Sequence, residues 1–271
     1  MSRAISANAR PATPPATPPS SSASSSTGSS VGSAALRRYF EQSTLPLTSL
    51  IFLAPLIVIY ELGTRWYASD PVSHVEQRII AFSLMQQFFA MFGATGKYLP
   101  AAAVVAILLA WHIARNDSWT ANVGHLFGML IESAMYAIPL RALALAFSHY
   151  LPLYTSPDRA RALLVLFVGA GIYEELVFRL IAFTVMSFIF IDLLKMPKTK
   201  AFLLMVLISS VAFSAYHYLG SEQFDARTFA FRTLAGIYFA LIFVWRGFGI
   251  TAGAHTAYDI STIAFRWVLG S

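Results

Sequence analysis

Long uncharged apolar runs recur along this chain and constrain its fold more than any other feature. Of its 271 residues, 57% are hydrophobic and 12% are charged. A helix needs about 20 apolar residues to cross about 30 Å of hydrocarbon. Runs of this kind lie at 45–63, 79–95, 98–114, 124–147, 161–194, 201–219, 229–246 and 249–268. We therefore expect an all-α polytopic transmembrane helix bundle of about seven to eight helices.

The 161–194 run is too long for one untilted span. It predicts either a single long tilted helix or two pieces that break near Gly169 and Gly171, because glycine loosens a helix. The sequence leaves both arrangements open.

The N-terminal segment differs in composition from the rest. Residues 1–34 are mostly Pro, Ala, Ser and Thr and cannot bury a core, which predicts a disordered tail before a transmembrane domain at 35–271. The tail has no apolar stretch of the secretory type. Arginines at positions 3, 10, 37 and 38 predict a cytoplasmic N-terminus. Helical spans without a targeting peptide predict the bacterial inner membrane.

Charge and cysteine content exclude several classes. The net charge is +6, but Lys and Arg lie singly or in small groups between apolar runs. This positive-inside pattern predicts the lipid bilayer as a partner and no nucleic acid. The chain has no cysteine, which excludes a thiol nucleophile, disulfides and thiolate metal sites.

Three charged residues interrupt the longest apolar run. Glu174, Glu175 and Arg179 stand in a stretch that is otherwise uncharged from Ala162 to Phe190. A charge at bilayer depth costs roughly 2.5–3.5 kcal/mol, so these groups need a partner, a water-filled cavity or a function. Glu175 and Arg179 have the i,i+4 order that favours an ion pair, which leaves Glu174 without that partner. We expect Arg179 to fix Glu175 while Glu174 does chemistry; the alternative is a structural charge cluster.

Two later spans carry histidines. His217 closes an apolar helix four residues after Phe213 and is either an interfacial or a functional residue. His255 and Asp259 have i,i+4 spacing, so the imidazole and the carboxylate share a helix face. Such a pair orients a catalytic histidine, binds a metal or makes a structural hydrogen bond. Together with the Glu pair, these residues predict a water-activating hydrolytic site.

Several other spans carry isolated ionisable residues. We expect Glu61 and Asp192, near span ends, to be interfacial. Glu132 and Arg141 lie deeper, so we expect them to pair with other helices, with a catalytic or substrate role as the alternative.

The three motifs resemble those of the CAAX prenyl endopeptidase and bacteriocin-processing (CPBP, or Abi) family of intramembrane proteases. That family carries Glu-Glu-x-x-x-Arg, Phe-x-x-x-His and His-x-x-x-Asn or His-x-x-x-Asp in this order. The resemblance covers about residues 120–268. It implies an endopeptidase, similar to the type II CAAX prenyl endopeptidase, that cleaves a membrane-associated peptide or prenylated protein. The substrate itself and the oligomeric state are left open.

The resemblance also implies roles. Glu174 corresponds to the general base that activates water, helped by His217. Glu175 and Arg179 correspond to a supporting pair that orders the site.

His255 and Asp259 occupy positions proposed to stabilise the oxyanion. An ionised Asp cannot donate a hydrogen bond, so Asp259 would have to be protonated, hold His255 as a donor or ligate a metal. Zn²⁺, if present, would use Glu174, His217, His255 and Asp259. Because His-Glu-x-x-His is absent, we favour a metal-free glutamate mechanism.

Other classes fit the pattern less well. A serine protease of the rhomboid type would need a Gly-x-Ser-Gly-like loop, which is absent, and Ser209, Ser210 and Ser214 are expected to pack helices. An aspartyl type would need Gly-x-Gly-Asp, but Gly247-Phe248-Gly249 leads into Ile250. The main alternatives are a proton-relay transporter, which should show inverted repeats, and a non-catalytic scaffold. The ionisable groups crowd into the C-terminal half, which argues against transport.

Overall fold

The structure is a computed structural model that describes residues 27–69, 75–147, 157–220 and 222–269. These ranges are almost entirely helical and contain no strand, which confirms the all-α prediction. The helices are α1 (Thr27–Ser43), α2 (Pro46–Tyr67), α3 (Ile80–Met91), α4 (Leu99–Arg115), α5 (Val123–Ala146), α6 (Pro157–Glu175), α7 (Ala182–Ser187), α8 (Lys198–Tyr216) and α9 (Ala226–Leu269). The chain divides into two compact units, Met1–Arg37 and Arg38–Ser271. In the first, the described residues form the start of α1; the second contains the end of α1 and all the later helices.

Five helical stretches are long and apolar enough to cross a membrane: Pro46–Tyr67, Val123–Ala146, Asp158–Leu193, Lys198–Leu219 and Ala226–Ile263. The helices α3 and α4 are shorter and apolar. Each predicted run therefore coincides with a helix, and the transmembrane bundle is confirmed. Residues 1–26 of the tail predicted at 1–34 lie outside the described residues, and the helix α1 begins at Thr27. That tail stays a prediction.

The long run at 161–194 forms one continuous helical path. Two π-helical segments, Leu176–Ile181 and Phe188–Leu193, flank α7 in place of a break. The first begins directly after Glu175. A π-helical turn shifts backbone hydrogen bonds from i→i+4 to i→i+5, and the carbonyl of Phe178 also accepts a hydrogen bond from Ser209 Oγ at 2.6 Å. The wide turn is thus stabilised by the neighbouring α8.

The helix α9 doubles back at Gly247. This residue has φ 76° and ψ −179°, a conformation that is accessible to glycine but not to residues with a side chain. The rings of Phe231 and Tyr258 lie 6.3 Å apart, and those of Phe239 and His255 lie 4.5 Å apart. A straight helix would separate the first pair by about 40 Å. The segments 226–246 and 248–269 are therefore antiparallel arms, as the two predicted runs require.

A buried ion pair holds the turn between the arms. Arg246, next to the glycine, is 1% exposed, and its Nη2 donates to Glu132 Oε2 and to Ser43 Oγ, both at 2.8 Å. The hydroxyl of Tyr39 also donates to Glu132. Glu132 therefore pairs with another helix, as expected from its depth, and joins α5 to α9 and to the end of α1.

A second polar cluster joins α2 to the segments before α3 and α4. Arg78 lies 2.9 Å from Glu61 and 2.6 Å from Glu76, and Lys97 also contacts Glu76. Tyr173 OH donates to Glu61 at 3.1 Å, so α6 is tied to the same cluster. The side chain of Glu61 is only 11% exposed. Its polar partners, rather than open solvent, accommodate its charge.

Removing the carboxylate of Glu132 would leave the charge of Arg246 buried and uncompensated. We expect Glu132→Ala to lower the free energy of unfolding by about 3–5 kcal/mol, measured by denaturant titration of the detergent-solubilised protein. Glu41→Ala, at an exposed position of α1, should change it by no more than about 0.5 kcal/mol. Equal effects of the two substitutions would contradict this role for the pair.

The second cluster predicts a pH dependence of stability. Although burial opposes it, hydrogen bonds from Lys97 and Arg78 hold the pKa of Glu76 below its ordinary value. A lowered pKa stabilises the fold above the ordinary glutamate pKa of about 4.3, and this contribution is lost as the pH falls through the lowered value. The melting temperature of Glu76→Gln should therefore be lower than wild type at neutral pH and approach it in acid. If the two melting temperatures differed by the same amount at neutral and at acid pH, the proposed effect of the Glu76 pKa on stability would be ruled out.

Candidate active site

The structure brings five of the six predicted site residues into one buried cluster. Glu174 and Glu175 end α6, and Arg179 lies in the π-helical segment that follows. His255 and Asp259 lie on the second arm of α9. The sixth, His217, begins a short 3₁₀ turn at the end of α8.

Gly171 lets α6 lie against the second arm of α9. A Cβ atom at this position would lie 2.1 Å from Thr256 Oγ1 and 2.8 Å from the carbonyl oxygen of Ala252. The two backbones can therefore approach closely only because this residue has no side chain. One turn later, the same contact places Glu174 and Glu175 beside His255.

Glu175 is held from two sides. Its Oε1 lies 2.7 Å from His255 Nδ1, and its Oε2 lies 3.2 Å from Arg179 Nε. The predicted i,i+4 pair is thus present, although its alignment is that of an ion pair and not of a hydrogen bond. Arg179 donates from Nη2 to the carbonyl of Gly236 at 3.0 Å and lies over the ring of Phe213 at 4.4 Å. Both charged side chains are fully buried.

Glu174 has different partners. Its Oε1 accepts a hydrogen bond from the hydroxyl of Tyr216. Its Oε2 lies 3.7 Å from His255 Nε2, beyond hydrogen-bond distance. This oxygen accepts no hydrogen bond from the residues that the structure describes. Of the two adjacent acids, Glu174 therefore keeps one oxygen available.

His255 lies among three carboxylates. Nδ1 faces Glu175, while Nε2 lies 3.5 Å from Asp259 Oδ2 and 3.7 Å from Glu174 Oε2. Because an ionised carboxylate only accepts hydrogen bonds, Nδ1 carries a proton and donates a hydrogen bond to Glu175. The ring of Phe239 stacks on the imidazole at 4.5 Å. Packing and the Nδ1 bond together fix the direction of Nε2.

His217 is positioned by its own helix. Its Nδ1 lies 2.8 Å from the carbonyl oxygen of Phe213, and its ring is edge-on to Tyr216 at 4.4 Å. Since a carbonyl only accepts, Nδ1 carries the proton, and Nε2 is the acceptor nitrogen of the neutral ring. Within the described ranges His217 makes no hydrogen bond to Glu174, and Tyr216 contacts both residues.

Sequence reasoning missed Tyr216. A tyrosine at the end of an apolar helix is typical of an interfacial anchor. Its position directly before His217 was the only signal in the sequence that could have indicated a role in the site. The serines were interpreted correctly, because Ser209 and Ser214 donate to carbonyls of neighbouring helical segments and Ser210 donates within α8.

The proposed zinc ligands do not form a metal site in the described part of the chain. No group of three or more His, Asp or Glu side chains there is arranged to hold a metal ion. The set Glu174, His217, His255 and Asp259 thus does not fit Zn²⁺ in this arrangement, and no step below is derived through a metal.

Comparison with known proteins identifies the region that holds this cluster. Residues 156–261 match the family described as type II CAAX prenyl endopeptidase, Rce1-like. This segment is thus similar to the CAAX protease family. The match confirms the resemblance drawn from the three motifs and includes all six predicted site residues, although it begins later than the expected residue 120. No match was found among curated proteins, and none among solved structures. Family and helices together indicate an integral membrane protein of the intramembrane endopeptidase class.

The close contact at Gly171 predicts a sensitive position. We expect Gly171→Ala to force α6 away from α9 and to lower stability by about 1–3 kcal/mol, measured as a loss of melting temperature and denaturant resistance. Gly220→Ala is the matched control, since its Cβ would meet only the flexible tip of Ile80, at 3.1 Å, and the carbonyl oxygen of His217 at 3.8 Å. A stable Gly171→Ala protein would mean that the helices are not in contact there.

Proposed function

We propose that the chain is an intramembrane endopeptidase in which Glu174 activates a water molecule for attack on a peptide bond. The observation that carries this proposal is the unequal environment of two adjacent glutamates. The two oxygens of Glu175 lie 2.7 Å from His255 Nδ1 and 3.2 Å from Arg179 Nε, whereas Glu174 Oε2 lies no closer than 3.7 Å to a charged nitrogen of the described chain, that of His255 Nε2. A buried carboxylate with one free oxygen suits a general base.

In the first step, Glu174 Oε2 takes a proton from water while the water oxygen bonds to the scissile carbonyl carbon. The 3.7 Å gap between Glu174 Oε2 and His255 Nε2 suits a water that hydrogen-bonds to both atoms. Glu174 then gives the same proton to the leaving amine as the carbon–nitrogen bond breaks. The carboxylate is restored, so the cycle is balanced in atoms and charge.

His255 stabilises the oxyanion in this proposal. With one ring proton directed to Glu175, the second proton, on Nε2, holds the bridging water before attack and then donates to the oxyanion as the water oxygen bonds to the carbonyl carbon. Asp259, 3.5 Å from Nε2, acts through His255 by orienting that donor. This assignment removes the difficulty with an ionised Asp, because Asp259 itself need not donate to the oxyanion.

His217 contributes an acceptor from the side of α8. Its Nδ1–H is bound to Phe213, so Nε2 accepts a hydrogen bond from the attacking water or from the substrate amide. Arg179 supports the site indirectly by compensating Glu175.

The similarity to the family supports a class of substrate and does not name an individual one. A CAAX-type endopeptidase acts on membrane-associated peptides, and we propose a prenylated C-terminal peptide as the first substrate to test, with unmodified membrane peptides as the alternative. The bacterial inner membrane and a cytoplasmic N-terminus stay predictions.

Cleavage by the purified full-length chain in proteoliposomes tests the proposal. With a fluorogenic prenylated peptide and its unmodified counterpart, we expect Glu174→Gln to lower kcat/KM by about 10²–10⁴-fold, the usual contribution of a general base. Glu41→Gln makes the same chemical change at an exposed position and should leave the rate unchanged.

Each assay is run with and without a chelator. Full activity of Glu174→Gln would refute the base assignment. Abolition of wild-type cleavage by the chelator would show that a metal takes part. If a well-folded wild type cleaved neither peptide, a carrier or scaffold would become the better interpretation.

A further inference from the structure

We infer that Tyr216 is a positioning residue that selects which oxygen of Glu174 acts as the base. Its hydroxyl donates to Oε1 and thereby leaves Oε2 directed at the space beside His255 Nε2. The inference rests on the proposed function and deepens it, since neither the motifs nor the family match assigns a role to this tyrosine.

The phenol is placed by packing and not by Glu174 alone. Tyr216 is 7% exposed, and its ring lies 4.8 Å from that of Phe178 and 4.4 Å from that of His217. Ser209 and Ser214 fix the same helix against its neighbours by hydrogen bonds to backbone carbonyls. The ring would therefore keep its position without its hydroxyl.

The hydroxyl restricts the rotation of the Glu174 carboxylate. A carboxylate can turn about its terminal bond and exchange its two oxygens, because that torsion is broad. With Oε1 bound to the phenol, Oε2 stays 3.7 Å from His255 Nε2, the separation that admits a bridging water. Without the phenol, the carboxylate is free to close on His255 as a direct ion pair and to displace that water.

The contrast with Glu175 shows why Glu174 needs such a donor. Glu175 has a cationic partner in Arg179, four residues away on the same helical path. A second guanidinium beside Glu174 would stabilise the ionised carboxylate and so make it a weaker base. A neutral phenol holds one oxygen in place and leaves the other basic.

Tyr216→Phe removes the hydroxyl and keeps the ring. In proteoliposomes we expect kcat to fall by about 10–100-fold, the loss expected for one hydrogen bond to a charged group, with KM unchanged because the buried phenol acts through Glu174. Tyr218→Phe is the matched control; its hydroxyl bonds to the carbonyl of Asp225 in an exposed position. An unchanged kcat in Tyr216→Phe overturns the inference.

Infrared difference spectroscopy gives a readout that does not depend on cleavage. The carboxyl band of Glu174 is identified as the band lost in Glu174→Gln. It should be displaced in Tyr216→Phe and unchanged in Tyr218→Phe. Cleavage by the wild type with an undisplaced band overturns the inference and leaves the proposed function standing. If the band is displaced in Tyr216→Phe but the wild type cleaves no peptide, the proposed function is overturned and only the contact between Tyr216 and Glu174 is supported.

Discussion

Charges that are buried in an apolar helix bundle have to be compensated by neighbouring residues, and this requirement organises the structure. Three buried arginines each find carboxylate partners: Arg246 with Glu132, Arg78 with Glu61 and Glu76, and Arg179 with Glu175. In the first cluster the partners come from two helices, and in the second Arg78, in the segment before α3, pairs with Glu61 of α2. Since an uncompensated charge in such surroundings costs several kcal/mol, these pairs restrict how the helices can pack.

The third cluster differs because it contains more acids than the arginine can compensate. Glu174, Glu175 and Asp259 surround a single imidazole, and Arg179 serves only one of them. A structural cluster of this size would be expected to pair every carboxylate. The surplus acid, held by a neutral phenol, is what separates this part of the bundle from the two clusters that only join helices.

Local sequence patterns predicted the parts of the fold that depend on local physics. Apolar runs located the helices, and the i,i+4 spacings of Glu175 with Arg179 and of His255 with Asp259 gave pairs that the structure contains. Contacts between helices were not predictable in this way. Tyr216 reaches Glu174 and Arg246 reaches Glu132 only through packing that no spacing encodes. The helix α1 escaped notice because its composition is polar on average and no long apolar run marks it.

The fold of α9 at Gly247 also bears on how solvent reaches the cluster. Because its arms are antiparallel, both ends of α9 lie at the end of the bundle where α8 finishes with His217. At 1.5 Å per residue, His255 lies about 12 Å along the second arm from the turn, and Asp259 about 18 Å. In an apolar layer of about 30 Å, these residues lie near its middle, and His217 lies toward the far face. A path for water along His217 would therefore have to cross only about half of that layer to reach His255, whereas a path from the turn would meet the ion pair of Arg246 and Glu132.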